Sequence, residues 1–497
     1  ETAPLRTDEI SYFLSVNQKR IMSNPRGAIV DLGKALLDTD SPEVWRDVLA
    51  TLAFLAAAGR VSAQRIISNW TLSAPLPSSD QAGISQPSAV ESCSHVAIIS
   101  SEPADSQRQV LRRLDAELGG VKIHNIFTHS ISSPAMPWQM RIEPRLNPVF
   151  FPDHHLPASR PISLRSIALY RDLKKYLQVR RVQMIILFGF DDLTRLLLIR
   201  WARRASIPLL LAGDANIFVD ARTRAWNRLV KGMVVRWSLR RVFGLMPMGT
   251  CGRAFFRSYL DHRLPEFLFP CEPDYTAFAQ PAPAVIEQFR AHHGLAADRK
   301  RFLYCGPLTQ EKRVDLLLDA FIRTAGLCPD WDLVIAGDGP LAKQLQLMPP
   351  AALDDRIKWL GSISAENRPT LYHVCDVLVH PADCEPWGIV INEAIASNLP
   401  VITTSVVGAG VELIRHRRNG IIVTPRSVDS LANALCDMTR PDDYGEMRRW
   451  SVASLESWRK AADPVNAMRD AMRYFGLHSF PSATPTPTAE ALQGELV

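Results

Sequence analysis

No two cysteines of this 497-residue chain form a C-x-x-C pair. The eight (Cys93, Cys251, Cys271, Cys305, Cys328, Cys375, Cys384 and Cys436) are scattered, and most lie in apolar surroundings. That excludes a disulfide scaffold and argues against a zinc ribbon or redox couple. They read as buried small hydrophobes in a reducing compartment. Long hydrophobic runs are also missing. None reaches the roughly 18–20 residues a membrane helix needs, and the nearest, Val48–Ala58, is short and interrupted by Thr51. Charge of one sign is in small excess, 57 − 51 = +6, too little over this length to argue for nucleic acid. The opening Glu-Thr-Ala-Pro-Leu-Arg has no Met and no secretory pattern, which reads as a processed or trimmed start of a cytoplasmic protein. What is present is ordinary: 47% apolar and 22% charged residues, enough to bury a large core. At about 150 residues per domain the length predicts roughly three units.

Texture divides the chain. Residues 1–70 show apolar residues at helical spacing (Leu32, Leu36, Leu37; Val48, Leu52, Leu55) and predict a helical extension, with Asp40 or Ser41 capping and Pro42 at a first helical position. Residues 71–93 are rich in Ser and Pro and read as a linker. From residue 94, short apolar strands alternate with amphipathic helices: strands at His95–Ile99, Val121–Phe127, Val182–Phe188 and Pro208–Leu211, and helices at Gln107–Leu118, Leu164–Leu177, Leu193–Ala205 and Arg222–Arg241. Residues 131–161 are Pro-rich and predicted irregular. A break at 279–299, marked by Gln280-Pro-Ala-Pro283, precedes a second alternating series. Its strands are Phe302–Cys305, Leu333–Ala336, Ile357–Leu360, Val377–Val379, Val401–Thr403 and Ile421–Val423. A helix at Val314–Ala325, others near 368–375, 387–398 and 428–439, and a helical stretch over 442–476 complete it. Alternation of this kind predicts parallel sheets covered by helices on both faces. Two such units in series predict twin doubly wound domains facing a cleft, with ligands beyond the carboxyl ends of the strands.

The most informative segment is His380-Pro-Ala-Asp-Cys-Glu-Pro-Trp-Gly-Ile-Val-Ile-Asn-Glu-Ala394. It leaves a buried strand and enters a helix predicted to start near Trp387. The first N–H groups of that helix lack intrahelical partners and carry the positive end of its dipole, a seat for a diphosphate. Glu385 precedes the seat, and Glu393 lies about two turns on, ~9 Å along the axis. Carboxylates flanking an anion seat can hold hydroxyls on either side of it, which suits a sugar, a diphosphate and a ribose in series. Alone, such a pair is equally well explained as two solvated helix-end residues.

The neighbouring motifs decide between these. The segment resembles the Glu-x7-Glu motif of family four of the retaining glycosyltransferases, nucleotide-sugar-dependent enzymes of GT-B fold. Residues 301–476 resemble that family's donor domain throughout: Gly306-Pro-Leu-Thr-Gln-Glu-Lys-Arg313, Gly337-Asp-Gly-Pro340, Gly361-Ser-Ile363, Gly408-Ala-Gly-Val-Glu-Leu-Ile414 and Asn419-Gly420 follow in family order. The resemblance implies that Glu385 holds hydroxyls of the transferred sugar and Glu393 the ribose, and that Trp387, Gly388 and Ile389 offer N–H groups to the diphosphate. It also implies that Lys312 neutralises the leaving group and that Gly306 and Ile363 line the nucleotide site. The donor would be UDP- or GDP-linked, with no cofactor and no metal. One departure stands out: Pro307 occupies the place where the family usually carries a cation, and Arg313 is the candidate substitute.

The amino-terminal unit resembles the family less. Ser100-Ser-Glu-Pro103 lacks the usual Gly-Gly loop, and no His stands at Phe188-Gly-Phe-Asp-Asp192. Ile207–Asn216 resembles a family branch. Asp191, Asp192, Asp214 and Asn216 end strands facing the cleft and are candidates for acceptor contact or for helix caps. Arg222–Arg241 carries seven basic residues and no acid, interleaved with Trp226, Leu229, Val230, Met233 and Trp237. It suits either a core-packed helix with a solvated face or peripheral contact with the inner membrane face. His154-His155 lacks further ligands at usable spacing and predicts no metal site.

The division expected is therefore 1–70 extension, 71–93 linker, 94–279 acceptor-side domain, 280–460 donor domain, 461–476 crossover helix and 477–497 disordered tail. The activity expected is retaining transfer of a sugar to a glycan or lipid-linked acceptor, in polysaccharide or glycoconjugate synthesis. The alternatives are a degenerate GT-B protein that binds nucleotide as a scaffold or regulator, and another GT-B enzyme such as an epimerase or phosphorylase.

Overall fold

The computed structural model describes residues 93–101, 105–128, 146, 148–151, 164–190, 192–221, 225–260, 263–439 and 444–477. The extension at 1–70, the linker up to residue 92, most of 131–161, His154-His155, Asp191 and the tail beyond 477 lie outside the described residues.

Runs of Val, Ile and Leu buried on both faces need helices on both sides, and parallel pairing supplies them. Among the described residues the first unit is a six-stranded sheet: β1 (Ser94–Ser100), β2 (Val121–Phe127), β3 (Pro148–Phe150), β4 (Met184–Phe188), β5 (Leu209–Gly213) and β6 (Gly244–Pro247). The spatial order is β3-β2-β1-β4-β5-β6 and every pairing is parallel. The second unit contains β7 (Lys300–Cys305), β8 (Trp331–Ala336), β9 (Ile357–Gly361), β10 (Val377–His380), β11 (Val401–Thr404) and β12 (Gly420–Val423). They run β12-β11-β10-β7-β8-β9, again all parallel. Strand order therefore reverses between β1 and β4 in one sheet and between β7 and β10 in the other. A ligand crevice is expected at the carboxyl ends there. In the second sheet those ends are Cys305-Gly306 and His380, the entries to the two motif-bearing loops.

The structure departs from the sequence expectations in several places. The supposed break at 279–299 holds a helix, Pro283–His293, with Pro283 in its first turn and Gly294 at φ 62° ending it. Pro283, which looked like a breaker, opens the helix instead. The irregular 131–161 stretch contributes the short edge strand β3. The helical stretch 442–476 is two helices, Tyr444–Ala461 and Pro464–Tyr474, the second capped by Asp463, whose carboxylate accepts from Asn466 N at 2.8 Å. Tyr444–Ala461 packs on helices Ile389–Ala396 and Gly408–Leu413 of the second unit. Pro464–Tyr474 packs on Asp105–Glu117 of the first and sends Val465, Met468 and Met472 into its core. The basic segment forms the helix Ala225–Leu239, which buries Val235 and Leu239 against the first sheet and leaves Arg240 exposed just beyond its end.

Candidate functional site

Two loops meet at the reversal point of the second sheet. The first follows β7. Gly306 turns at φ 146°, and any side chain on Gly337, at the end of β8, would collide with the Gly306 carbonyl, so the two loops pack backbone against backbone. The chain then passes Pro307 and forms a tight turn, Gln310–Lys312, ending at Arg313 with φ 54°. The second loop follows β10. Thr403 Oγ1 donates to the His380 carbonyl at 3.1 Å and Thr404 Oγ1 to the Ala382 carbonyl at 2.6 Å, so β11 holds the loop from below. Asp383 N donates to Glu311 O at 3.0 Å and joins the loops.

This junction brings Lys312 and Glu385 together. Lys312 Nζ bonds Glu385 Oε2, and His380 Nε2 stands 3.2 Å from the same oxygen. Burial alone would push the Glu385 carboxyl up. The hydrogen bond and charge of His380, then the charge and hydrogen bond of Lys312, outweigh it and pull the carboxyl down to about 2. Oε1 makes no hydrogen bond among the described residues and is left for a ligand.

The helix beyond begins at Ile389, two residues later than its sequence pattern predicts, because Gly388 caps it in the left-handed region at φ 90°. A Cβ there would meet Val407 Cγ1 at 2.9 Å and Glu385 Cγ at 3.3 Å. Trp387 is not a surface residue at the seat. Its ring packs beside Trp458 in the core, and its carbonyl accepts from Ala409 N at 2.7 Å. Ile389 supplies a first-turn N–H without an intrahelical acceptor. Ile363 packs against the same core.

Glu393 is more enclosed than the resemblance implies, with 3% of its surface exposed. Arg368 Nη1 donates to Oε1 at 3.0 Å and Tyr372 OH to Oε2 at 2.8 Å. Each oxygen thus has a donor from helix Arg368–His373. Arg313, the candidate substitute for the cation missing at Pro307, is engaged by carboxylates in this structure. Its guanidinium pairs with Asp315 at 2.8 Å and reaches Asp383 at 3.5 Å, and Asp383 is also held by Arg426 at 2.7 Å.

On the amino-terminal side the candidates separate. Asp192 caps the helix Leu193–Arg204: Oδ1 accepts from Arg195 N at 2.9 Å, and Oδ2 pairs with the buried Arg195 guanidinium. Both oxygens are engaged at the helix end, so Asp192 serves as the cap that was one of its two readings. Asp214 is exposed, and the surrounding protein followed by the Glu385 charge push its carboxyl above the usual carboxylate range. Asn216 has a role the sequence did not convey. Its Oδ1 accepts from Phe218 N at 2.8 Å. Its Nδ2 crosses to the other unit and faces the carbonyls of Pro386 and Val406 at 3.2 Å and of Glu385 at 3.4 Å. A second crossing lies beside it, where the Glu412 carboxylate accepts from Thr250 N at the start of helix Thr250–Tyr259. His380 and Glu412 were not singled out from the sequence either. His380 reaches the junction from the end of β10 and Glu412 from helix Gly408–Leu413.

Among the described residues no group of His, Cys, Asp and Glu is arranged to hold a metal ion, and no helix is long and apolar enough to cross a membrane.

Residues 285–450 match the family model described as Glycosyl transferases group 1. The chain is 32% identical over 194 residues to the uncharacterized glycosyltransferase MJ1607 of Methanocaldococcus jannaschii, an alignment covering 38% of this chain and 49% of that protein. The chain thus spans about half the length of that relative. Sucrose-phosphate synthase of Thermosynechococcus elongatus superposes with a TM-score of 0.62 at 20% identity, over 78% of this chain and all of that one (100%). The Anabaena protein HepE, solved in complex with UDP and glucose, superposes with a TM-score of 0.59 at 16% identity, over 77% and 99%. The architecture is the GT-B fold, two Rossmann-like units, each built on a parallel six-stranded sheet. The match to the group 1 glycosyltransferase model falls within its second unit.

Proposed function

We propose that the protein transfers a sugar from a UDP- or GDP-linked donor to a glycan or lipid-linked acceptor, with retention at the anomeric carbon and without a metal. The observation that carries this reading is the junction itself: a carboxylate held ionised by Lys312 and His380, set beside the free N–H groups at the start of helix Ile389–Ala396. The diphosphate sits on those N–H groups and Glu385 Oε1 accepts from a sugar hydroxyl. As the bond from the anomeric carbon to the diphosphate oxygen breaks, Lys312 neutralises the charge that develops there. The acceptor oxygen bonds to the same face of that carbon, and its proton passes to the departing diphosphate. Glu393, oriented by Arg368 and Tyr372, accepts from a ribose hydroxyl.

The test is a panel of UDP- and GDP-sugars with released nucleoside diphosphate and glycosylated product as readouts. Glu385→Ala is expected to abolish release while the melting transition persists, and full activity in that variant would refute the assignment. Pro307, together with the engagement of Arg313 by Asp315 and Asp383, favours a second reading, a nucleotide-binding scaffold. Binding of UDP or GDP without turnover across the panel would establish it. Free inverted sugar would point instead to an epimerase. A lipid-linked acceptor also fits peripheral contact through the basic stretch Arg222–Arg241. Co-sedimentation with anionic but not neutral vesicles checks this, and equal binding to both argues for the plainer core-packed helix.

A further inference from the structure

We propose that His380 is a positioning residue that keeps Glu385 aimed at the donor sugar while Lys312 is drawn to the leaving diphosphate. The inference rests on the transferase reading above. Lys312 and His380 both bond Oε2 of Glu385, which loads one oxygen and leaves the other open. The two donors differ mechanically. Lysine is a point charge on a flexible stem, and a diphosphate at the neighbouring helix start competes for it directly. His380 has no such freedom. It is the last residue of β10, paired with Thr403 of β11, and its carbonyl is held by Thr403 Oγ1 at 3.1 Å. Its ring is 2% exposed and lies parallel to Tyr304, 7° between planes and 6.4 Å between centroids. The Tyr304 hydroxyl is itself tied to the Pro307 carbonyl at 2.7 Å. His380 Nδ1 is buried with no partner among the described residues, so the Nε2 contact to Glu385 is the side chain's polar commitment there. When Lys312 turns to the phosphate, His380 is the anchor that stays.

A group held by packing and a supporting hydrogen bond keeps a functional side chain in productive geometry. Its loss is therefore felt in turnover more than in nucleotide affinity. The experiment compares wild type, His380→Leu and His380→Gln with UDP-glucose, UDP-N-acetylglucosamine and GDP-mannose. It reads released UDP or GDP as kcat and KM, together with calorimetric binding of UDP and GDP. His380→Leu is expected to bind the nucleoside diphosphate within about threefold of wild type and to lose about 10- to 100-fold in kcat, the scale of one hydrogen bond to a charged group. His380→Gln, whose Nε2 can donate to the same oxygen, is expected to recover most of that loss. Wild-type kcat in His380→Leu overturns the inference. So does a His380→Gln protein as impaired as His380→Leu with nucleoside diphosphate binding weakened in both, which would mark a packing role alone. A wild-type protein that releases nucleoside diphosphate from no donor refutes the transferase reading instead, and the His380 inference falls with it.

Discussion

At the residue scale the central feature is one carboxylate oxygen shared by two nitrogen donors. Glu385 is drawn from an ordinary value of 4.5 down to about 2, so its ion pair stabilises the fold above pH 4.5 and is lost as pH falls through about 2. The difference corresponds to about 3 kcal/mol. Glu385→Gln mimics the neutral carboxyl. Urea denaturation at pH 6 is therefore expected to show wild type more stable than Glu385→Gln, with the gap closing toward pH 2.5. A gap independent of pH would show that Lys312 and His380 do not hold the charged form. Glu385 and Lys312 were legible in the sequence because each sits inside a contiguous motif. His380 stood in the same motif, five residues before Glu385, but the turn that brings its ring back to that carboxylate is set by the folded loop, which Thr403 and Thr404 of β11 hold. The enclosure of Glu393 was illegible for the same reason: Arg368 and Tyr372 come from another helix.

At the scale of elements, the turn into helix Ile389–Ala396 depends on a backbone conformation that costs a residue with a side chain about 1–2 kcal/mol. Gly388 adopts it at φ 90°, with Val407 Cγ1 placed 2.9 Å from where a Cβ would stand. Gly388→Ala is expected to lower the melting temperature by several degrees and to weaken UDP or GDP binding, because the strain falls on the N–H groups of the seat. Calorimetry and a thermal melt check both, and an unchanged nucleotide affinity would show that this turn does not carry the diphosphate. Most elements could be read from the chain because buried parallel strands are short runs of Val, Ile and Leu. Those missed have physical excuses. Edge strands β3 and β6 are three and four residues long, and the proline that opens Pro283–His293 looks like a breaker until its place in the first turn is known. In 442–476 the helical spacing continues across the break, and Asp463 divides it by capping.

At the scale of the molecule, the two units meet through polar contacts made at the functional loop itself. Asn216 of the first unit reaches three carbonyls of the second, and Glu412 of the second caps a helix of the first. Interfaces between such domains are usually mobile. Asn216→Ala is expected to leave the chain folded, to raise the radius of gyration seen by small-angle scattering, and to lower kcat/KM at least tenfold. Calorimetric UDP affinity, assigned by the proposed function to the second unit, is expected to change less. Identical scattering and kinetics would show that the clasp is incidental. One of the three carbonyls is that of Glu385, so the peptide carrying the key carboxylate is braced from across the groove. The side chain is set by Lys312 and His380 of its own unit, while its peptide is steadied by an amide from the other.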